Sequence, residues 1–173
     1  MKKLLFLAAG VLFVLYSCKK STPAVTPLTN GISATINGVN ETFNFAAFAE
    51  STQDGLGSGY EIIFLAAKDP SNSSGIKVIV NFPNQPTIGT YSFDPTNVNN
   101  LGPEINYFNS DGPDNRLNAY GTSDGPYTGT VTITSLSSTN VQGTFSGTLH
   151  EQDQSSAVHT VTITNGKFNV KFQ

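Results

Sequence analysis

The chain has 173 residues, with nine Lys or Arg side chains against twelve Asp or Glu and a formal net charge of −3. Charged residues make up only 12% of the sequence, and no basic patch of the kind that binds nucleic acid is present, so nucleic acid is excluded as a partner. A single cysteine, Cys18, rules out an intramolecular disulfide, so the fold must depend on its own core. The length that remains after a leader fits one domain.

The first 17 residues have the pattern of a secretory signal peptide. Lys2 and Lys3 precede an apolar run from Leu4 to Leu15, which is too short for a membrane-spanning helix. The segment ends at Cys18 and resembles the lipobox of bacterial lipoproteins, in which the cysteine sulfur carries a diacylglyceryl group and its amine is usually acylated, as with palmitate. We therefore predict lipidation of Cys18, because two or three acyl chains give stable membrane anchoring.

Residues 18–30 follow as a predicted flexible tether, with Pro23 and Pro27 among small polar residues. Loss of Lys2 and Lys3 with the leader leaves seven basic and twelve acidic side chains, a mature net charge of −5. By resemblance to bacterial sorting rules, Lys19 after the cysteine implies transfer to the outer membrane. The expected location is a lipid-anchored position there, on the periplasmic face or the cell surface.

Residues 31–173 are predicted to form a single all-β domain. Most segments alternate apolar and polar residues with a period of two, which is typical of strands with one dry face and one wet face. About ten short strands at this spacing predict an antiparallel β-sandwich or a flattened barrel. Tyr60–Ala67 is apolar on both faces and is interpreted as a central strand covered on each side.

Two Asn-Gly pairs are interpreted as tight hairpin turns. Asn37-Gly38 follows the first alternating segment, and Asn165-Gly166 separates the last two. Asn-Gly is the strongest short signal for a type I′ turn, because both central residues of that turn need positive φ angles. The sequence therefore predicts a hairpin at the beginning of the domain and another at its end.

Three segments of the domain resemble a known group of proteins. They are the opening Ala34-Thr-Ile-Asn-Gly38, the middle Gly89-Thr-Tyr-Ser-Phe93 and the closing Val161-Thr-Ile-Thr-Asn-Gly-Lys-Phe-Asn-Val170. With the Ser17-Cys-Lys-Lys20 anchor, they are similar to the uncharacterised lipoproteins of Bacteroidota that carry one β domain of unknown function. The chain departs from that pattern because it has no Trp after the first Asn-Gly turn. The resemblance implies a fold and a location, and no activity.

An Asx-rich segment is the candidate metal site. Asp111, Asp114 and Asn115 supply the hard oxygen ligands that calcium prefers, but they lack EF-hand spacing, and the same residue types are common in ordinary turns. No other cofactor is expected. The two histidines, His150 and His159, are predicted by strand phase to point to opposite sides of the sheet, which argues against a shared zinc site.

Tyrosines beside this segment are the candidate ligand-binding residues. Aromatic rings next to Asn and Asp can stack on sugar rings while the amides bind hydroxyl groups. The alternative is that these rings are ordinary half-buried strand residues. The tyrosines concerned are Tyr91, Tyr107, Tyr120 and Tyr127.

No catalytic residue is predicted. Gly143-Thr-Phe-Ser-Gly147 is not a nucleophile-elbow motif, and it lies within a strand. The expected function is a non-catalytic binding or accessory module of the cell envelope, which recognises a glycan, a peptide or an envelope partner through loops between Pro83 and Pro126. The alternative is a purely structural or oligomerising envelope lipoprotein, and the third hypothesis is a hydrolase that uses paired carboxylates.

Overall fold

The structure is a computed structural model that describes residues 28–53, 59–71, 73–93, 102–110, 118–121, 128–151 and 159–173. At 118–120 and 151 the description is of the backbone alone. The described residues form strands and no helix, which confirms the all-β prediction. The strands are β1 (Gly31–Ile36), β2 (Val39–Phe43), β3 (Phe45–Gln53), β4 (Tyr60–Ala67), β5 (Ser74–Phe82), β6 (Gly89–Ser92), β7 (Glu104–Asn109), β8 (Asn118–Gly121), β9 (Thr128–Leu136), β10 (Asn140–Glu151) and β11 (Thr160–Lys171).

The strands form two antiparallel layers of a sandwich. Sheet I has the order β2-β1-β11-β10-β9-β6, and sheet II has the order β3-β4-β5-β7. The short strand β8 joins the layers at one edge, because it pairs with β7 over four residues and with β10 over two. At the opposite side, Ala49 of β3 forms an isolated bridge to Phe172, just after β11. The predicted sandwich is confirmed, and the sheets do not close into a barrel.

The core lies between the inner faces of the two sheets. Apolar side chains alternate inward along each long strand, as at Ile62, Phe64 and Ala66 of β4, which are fully buried. Aromatic rings from opposite sheets contact each other at both flanks and in the middle, and such pairs stabilise beyond their buried area. The three pairs and their ring-centroid distances are Phe64–Phe168 at 4.3 Å, Phe82–Tyr91 at 5.0 Å and Phe43–Tyr107 at 6.3 Å.

The first Asn-Gly prediction is confirmed. Ile36 pairs with Val39, so Asn37 and Gly38 are the two central residues of the turn between β1 and β2. Their φ angles are 47° and 85°, both in the left-handed region that a type I′ turn requires. Asn37 also accepts a hydrogen bond at Oδ1 from the backbone N–H of Thr162, 2.9 Å away, which ties this turn to β11.

The second Asn-Gly prediction is wrong. Asn165 and Gly166 lie inside the continuous strand β11, which pairs with β10 on one side and β1 on the other. Thr164 and Asn165 together oppose the single residue Ser146, so the pair forms a β-bulge. Asn165 has a φ of 52°, whereas Gly166 is not in the positive-φ region. A single residue with a positive φ angle, Asn165, thus accompanies a bulge. Two such residues in succession, Asn37 and Gly38, form the hairpin turn.

A second irregularity separates β2 from β3. The chain leaves sheet I after Phe43 and enters sheet II at Phe45, and a bulge follows where Ala46 adopts a φ of 48°. Phe43 is buried, but Phe45 is 39% exposed. Alternation alone would predict one continuous strand here. The corner instead divides it into β2 and β3, which belong to different sheets.

Strand β4 is central, as predicted, because it lies between β3 and β5. Its second apolar face, however, is half-buried instead of covered, and Ile63 and Leu65 lie there. The prediction that β4 is covered on both sides is therefore wrong for the outer face of sheet II.

The segment before β1 is bound to the sandwich by asparagine amides. Asn30 donates from Nδ2 to the carbonyl of Ala47 at 3.1 Å and accepts at Oδ1 from the N–H of Lys171 at 3.2 Å. Asn169 donates to the carbonyl of Leu28. Residues 28–30, which the sequence assigns to the tether, are thus hydrogen-bonded to the domain. The rest of the predicted leader and tether lies outside the described residues.

Candidate functional site

A cleft lies at the end of the sandwich where the β9–β10 turn, the β5–β6 connection and the residues after β11 meet. Its volume is about 340 Å³, within the usual range for small-molecule sites. Ile62, which is fully buried, contributes to its floor. We call this the end cleft, and its lining residues are Ser51, Ile62, Gln85, Pro86, Leu136, Ser137, Ser138, Phe172 and Gln173.

A second depression adjoins the end cleft and shares Gln85 with it. Its volume is about 540 Å³. Amide, hydroxyl and phenol groups predominate among its lining residues, which are Gln53, Gly59, Tyr60, Pro83, Asn84, Gln85 and Thr87. Because one side chain lines both, Gln85 is positioned to contact a ligand that extends from one depression into the other.

The β5–β6 connection is held in place by Tyr91 of β6. The Tyr91 hydroxyl donates to the Thr87 carbonyl at 2.8 Å and lies 2.9 Å from the Thr87 hydroxyl. The Tyr91 ring packs edge-on against Phe82, at the end of β5. Pro83 follows directly and cannot continue the hydrogen-bond ladder, so the chain leaves the sheet there and presents Asn84 and Gln85.

The opposite wall is the tight turn between β9 and β10. The N–H of Ser137 donates to the Asn140 carbonyl at 2.9 Å, and the N–H of Asn140 donates to the Ser137 hydroxyl at 3.0 Å. Serine, threonine and asparagine favour this conformation because their side chains hydrogen-bond to the nearby backbone. The turn thereby fixes Ser137 and Ser138 at the rim, above the apolar Leu136.

The two depressions are lined by uncharged side chains. Amide and hydroxyl groups surround an apolar floor, and none of the lining residues that the structure describes has a side chain that titrates near neutral pH. Such a surface donates and accepts hydrogen bonds and excludes water from apolar contacts. Its described residues include serine and threonine hydroxyls, but no His, Asp or Glu side chain lies among them to act as their general base. The arrangement therefore suits binding.

The structure describes the side chains of two of the four predicted ligand-binding tyrosines, Tyr91 and Tyr107, and places them in different surroundings. Tyr91 supports the loop of the end cleft, whereas Tyr107 is 3% exposed and packs in the core against Phe43. Tyr107 is therefore a core residue and cannot belong to an exposed platform. The backbone of Tyr120 pairs with Tyr107 and with β10. Tyr127 lies outside the described residues.

The predicted metal and lipid sites fall outside the described part of the chain. This applies to Asp111, Asp114 and Asn115 of the Asx-rich segment and to Cys18. Among the residues that the structure describes, no group of three or more His, Cys, Asp or Glu side chains is placed to hold a metal ion. His150 is half-buried opposite Thr160, and His159 is exposed just before β11.

Sequence reasoning missed most of the end cleft. Ser51, Gln85 and Ser137 come from three distant parts of the chain and meet only when the sandwich forms. The available signal is the Pro83-Asn-Gln-Pro86 segment, where two prolines bracket two amides directly after a buried strand. That pattern indicates a stiff polar loop at a sheet end.

Comparisons of the chain with protein-family models, with curated proteins and with solved structures found no match. Within the described ranges, no helix has the length and apolar character that crossing a membrane requires.

Proposed function

We propose that this chain is a non-catalytic binding module of the cell envelope and that its end cleft binds a neutral glycan. The observation that carries the proposal is the lining of the cleft and the adjoining depression, which is uncharged and combines amides and hydroxyls with an apolar floor. A neutral sugar presents hydroxyl groups at its edge and apolar C–H groups on its ring faces, so it complements both parts of that lining.

The location belongs to the same proposal. The leader, the lipobox-like end and Lys19 support export and lipidation at Cys18, with a position in the outer membrane on the periplasmic face or the cell surface. The resemblance to Bacteroidota lipoproteins with one β domain of unknown function supports the same assignment. A lipid-anchored module would keep a bound glycan at the membrane surface without contributing chemistry of its own.

A hydrolase has weaker support. Paired-carboxylate catalysis needs two acids that converge on one substrate. In the described part of the chain, no Asp or Glu side chain lines the end cleft or the adjoining depression. Glu41 lines a separate shallow groove of about 280 Å³ along β1, β2 and β11, and its carboxylate forms an ion pair with Lys68 at 3.4 Å.

The test is a screen of the full-length protein on an array of neutral and acidic glycans. The expected result is binding to a neutral glycan that Gln85→Ala weakens several-fold, because Gln85 lines both depressions. The matched control is Gln142→Ala, which removes an exposed amide from the outer side of sheet I. A blank array, or neutral-glycan binding that both variants retain, would contradict the proposal and favour a protein partner or a structural role.

A further inference from the structure

The outer face of sheet II carries a patch that the end cleft does not use. In one row across the strands, Glu50 of β3 opposes Ile63 of β4, Ile63 opposes Ile79 of β5, and Ile79 opposes Glu104 of β7. Directly opposed residues in antiparallel strands have Cβ atoms about 5 Å apart. Two isoleucines are therefore in contact range, with a glutamate at each end of the row.

A neighbouring row enlarges the apolar centre. Phe48 of β3 opposes Leu65 of β4, and Leu65 opposes Lys77 of β5. Phe48, Ile63, Leu65 and Ile79 are all half-buried, so part of each side chain faces solvent. Contiguous apolar groups rimmed by polar ones mark interaction sites on soluble domains. We call these four residues and the flanking glutamates the sheet II patch.

The charges around this centre have one predominant sign. Glu61 of β4 lies in the next row, so three carboxylates, those of Glu50, Glu61 and Glu104, surround the isoleucine pair. Among the outward-facing residues of β3, β4, β5 and β7 that the structure describes, Lys77 is the one cation. Glu104 is further oriented by Asn106, which donates to it from Nδ2 at 2.7 Å.

We propose that the sheet II patch binds an extended segment of another protein. In this segment a basic, an apolar and a second basic residue occupy every other position, with small residues between them. Glu50 and Glu104 are separated by three inter-strand spacings, about 14 Å. In an extended chain, residues i and i+4 point to the same side and are also about 14 Å apart. A chain that crosses the strands would thus place its two basic side chains at the glutamates and its middle apolar residue on Ile63 and Ile79.

A second copy of this chain fits the patch less well. Two copies face to face would bring six carboxylates together with two lysines, and like charges opposed across an interface are unfavourable. The patch therefore favours a cationic partner over self-association. This inference is independent of the glycan-binding proposal, because the end cleft and the sheet II patch share none of the residues named here.

The test uses a fluorescein-labelled peptide, Lys-Ser-Val-Ser-Lys, and anisotropy measurements with the full-length protein. We expect this peptide to bind several-fold more tightly than Glu-Ser-Val-Ser-Glu and than the same residues reordered as Lys-Lys-Val-Ser-Ser. The double substitution Glu50→Gln/Glu104→Gln should weaken binding roughly fivefold, since each exposed ion pair contributes modestly, and added salt should weaken it further. Glu41→Gln is the matched control, because this acid lies off the patch on β2.

Equal binding of the three peptides, or unchanged binding by the double variant, would overturn the proposal. Sedimentation velocity supplies the second readout, which does not depend on peptide affinity. If the native protein is a monomer at micromolar concentration and the Ile63→Thr variant is also a monomer, the assignment is supported. Self-association that Ile63→Thr abolishes would show that the patch binds a second copy, and this would also overturn the proposal.

Discussion

The outer faces of the two sheets differ sharply although their inner faces are alike. Most outward positions of β9 and β10 in sheet I carry hydroxyl side chains, and Thr132 lies opposite Thr144 across the two strands. Thr132 is also 3.0 Å from Thr90 of β6, hydroxyl to hydroxyl. The corresponding positions of sheet II carry Ile63 and Ile79. One outer face is thus polar and the other is apolar at its centre, a difference that alternation alone does not distinguish.

The largest expected effect concerns the inner side of sheet I, where β9 and β10 approach closely. A Cβ on Gly143 would collide with the Thr132 carbonyl oxygen and lie 2.5 Å from Cζ of Phe168. Gly143→Ala should therefore destabilise the fold by about 3 kcal/mol or more, at the upper end of overpacking effects. Urea unfolding is the measurement, and loss of a cooperative transition would satisfy the prediction.

The adjacent outward residue provides the control for this prediction. Thr144 is exposed, so Thr144→Val should change stability by less than about 0.5 kcal/mol. Similar losses in Gly143→Ala and Thr144→Val would contradict the assignment of inner and outer sides in β10.

A smaller effect is expected from exchanges on the two outer faces. Ile63→Thr removes apolar contact with Ile79 and should cost about 1 kcal/mol, as for a cross-strand apolar pair. Thr132→Val removes an exposed hydroxyl pair and should cost about 0.5 kcal/mol or less. Both are measured by urea unfolding. A larger loss in Thr132→Val than in Ile63→Thr would reverse the contrast between the faces.

The smallest effect is a pH dependence in the β4–β5 turn. The hydroxyl of Ser71, followed by that of Ser73, hydrogen-bonds to the Asp69 carboxylate and lowers its pKa to about 2. A depressed carboxyl pKa contributes stability that is present above pH 4 and lost as pH falls toward 2. Asp69→Asn should thus be less stable than the native protein at pH 7, and most of this difference should be lost near pH 2.

The β9–β10 turn of sheet I is the matched control for this pH dependence. Its hydrogen bonds to Ser137 involve no ionised group. The difference between the native protein and Ser137→Ala should therefore be the same at pH 7 and near pH 2. A difference for Asp69→Asn that does not change with pH would contradict the lowered pKa.

The sequence predicted the fold class because a period of two is a local property. Alternation correctly placed Val131 and Ile133 inside, and the first Asn-Gly pair correctly gave a hairpin. The prediction for the second pair, Asn165-Gly166, failed because β11 continues through it, paired on one side with the preceding strand β10 and on the other with β1, which lies far away in sequence. Two neighbouring strands hold the chain straight there, and the Asn-Gly pair is accommodated as a bulge.

The end cleft was beyond sequence prediction for the same physical reason. Its walls are brought together by the order of strands in two sheets, and strand order is set by long-range packing. Tyr91, which the sequence predicts as a ligand-binding residue, holds the cleft loop through the hydrogen bond from its hydroxyl to Thr87, a contact that the sequence does not show. Tyr107 was an equally plausible aromatic in the sequence, but the core buries it opposite Phe43.

The most direct test of the glycan-binding account is a ¹⁵N–¹H NMR titration of the full-length protein with the strongest neutral glycan from the array. The account predicts that the largest amide shifts occur at Ser51, Gln85 and Ser137, which line the end cleft from three parts of the chain. Shifts confined to the outer faces, at Thr144 of sheet I or Ile63 of sheet II, would contradict it.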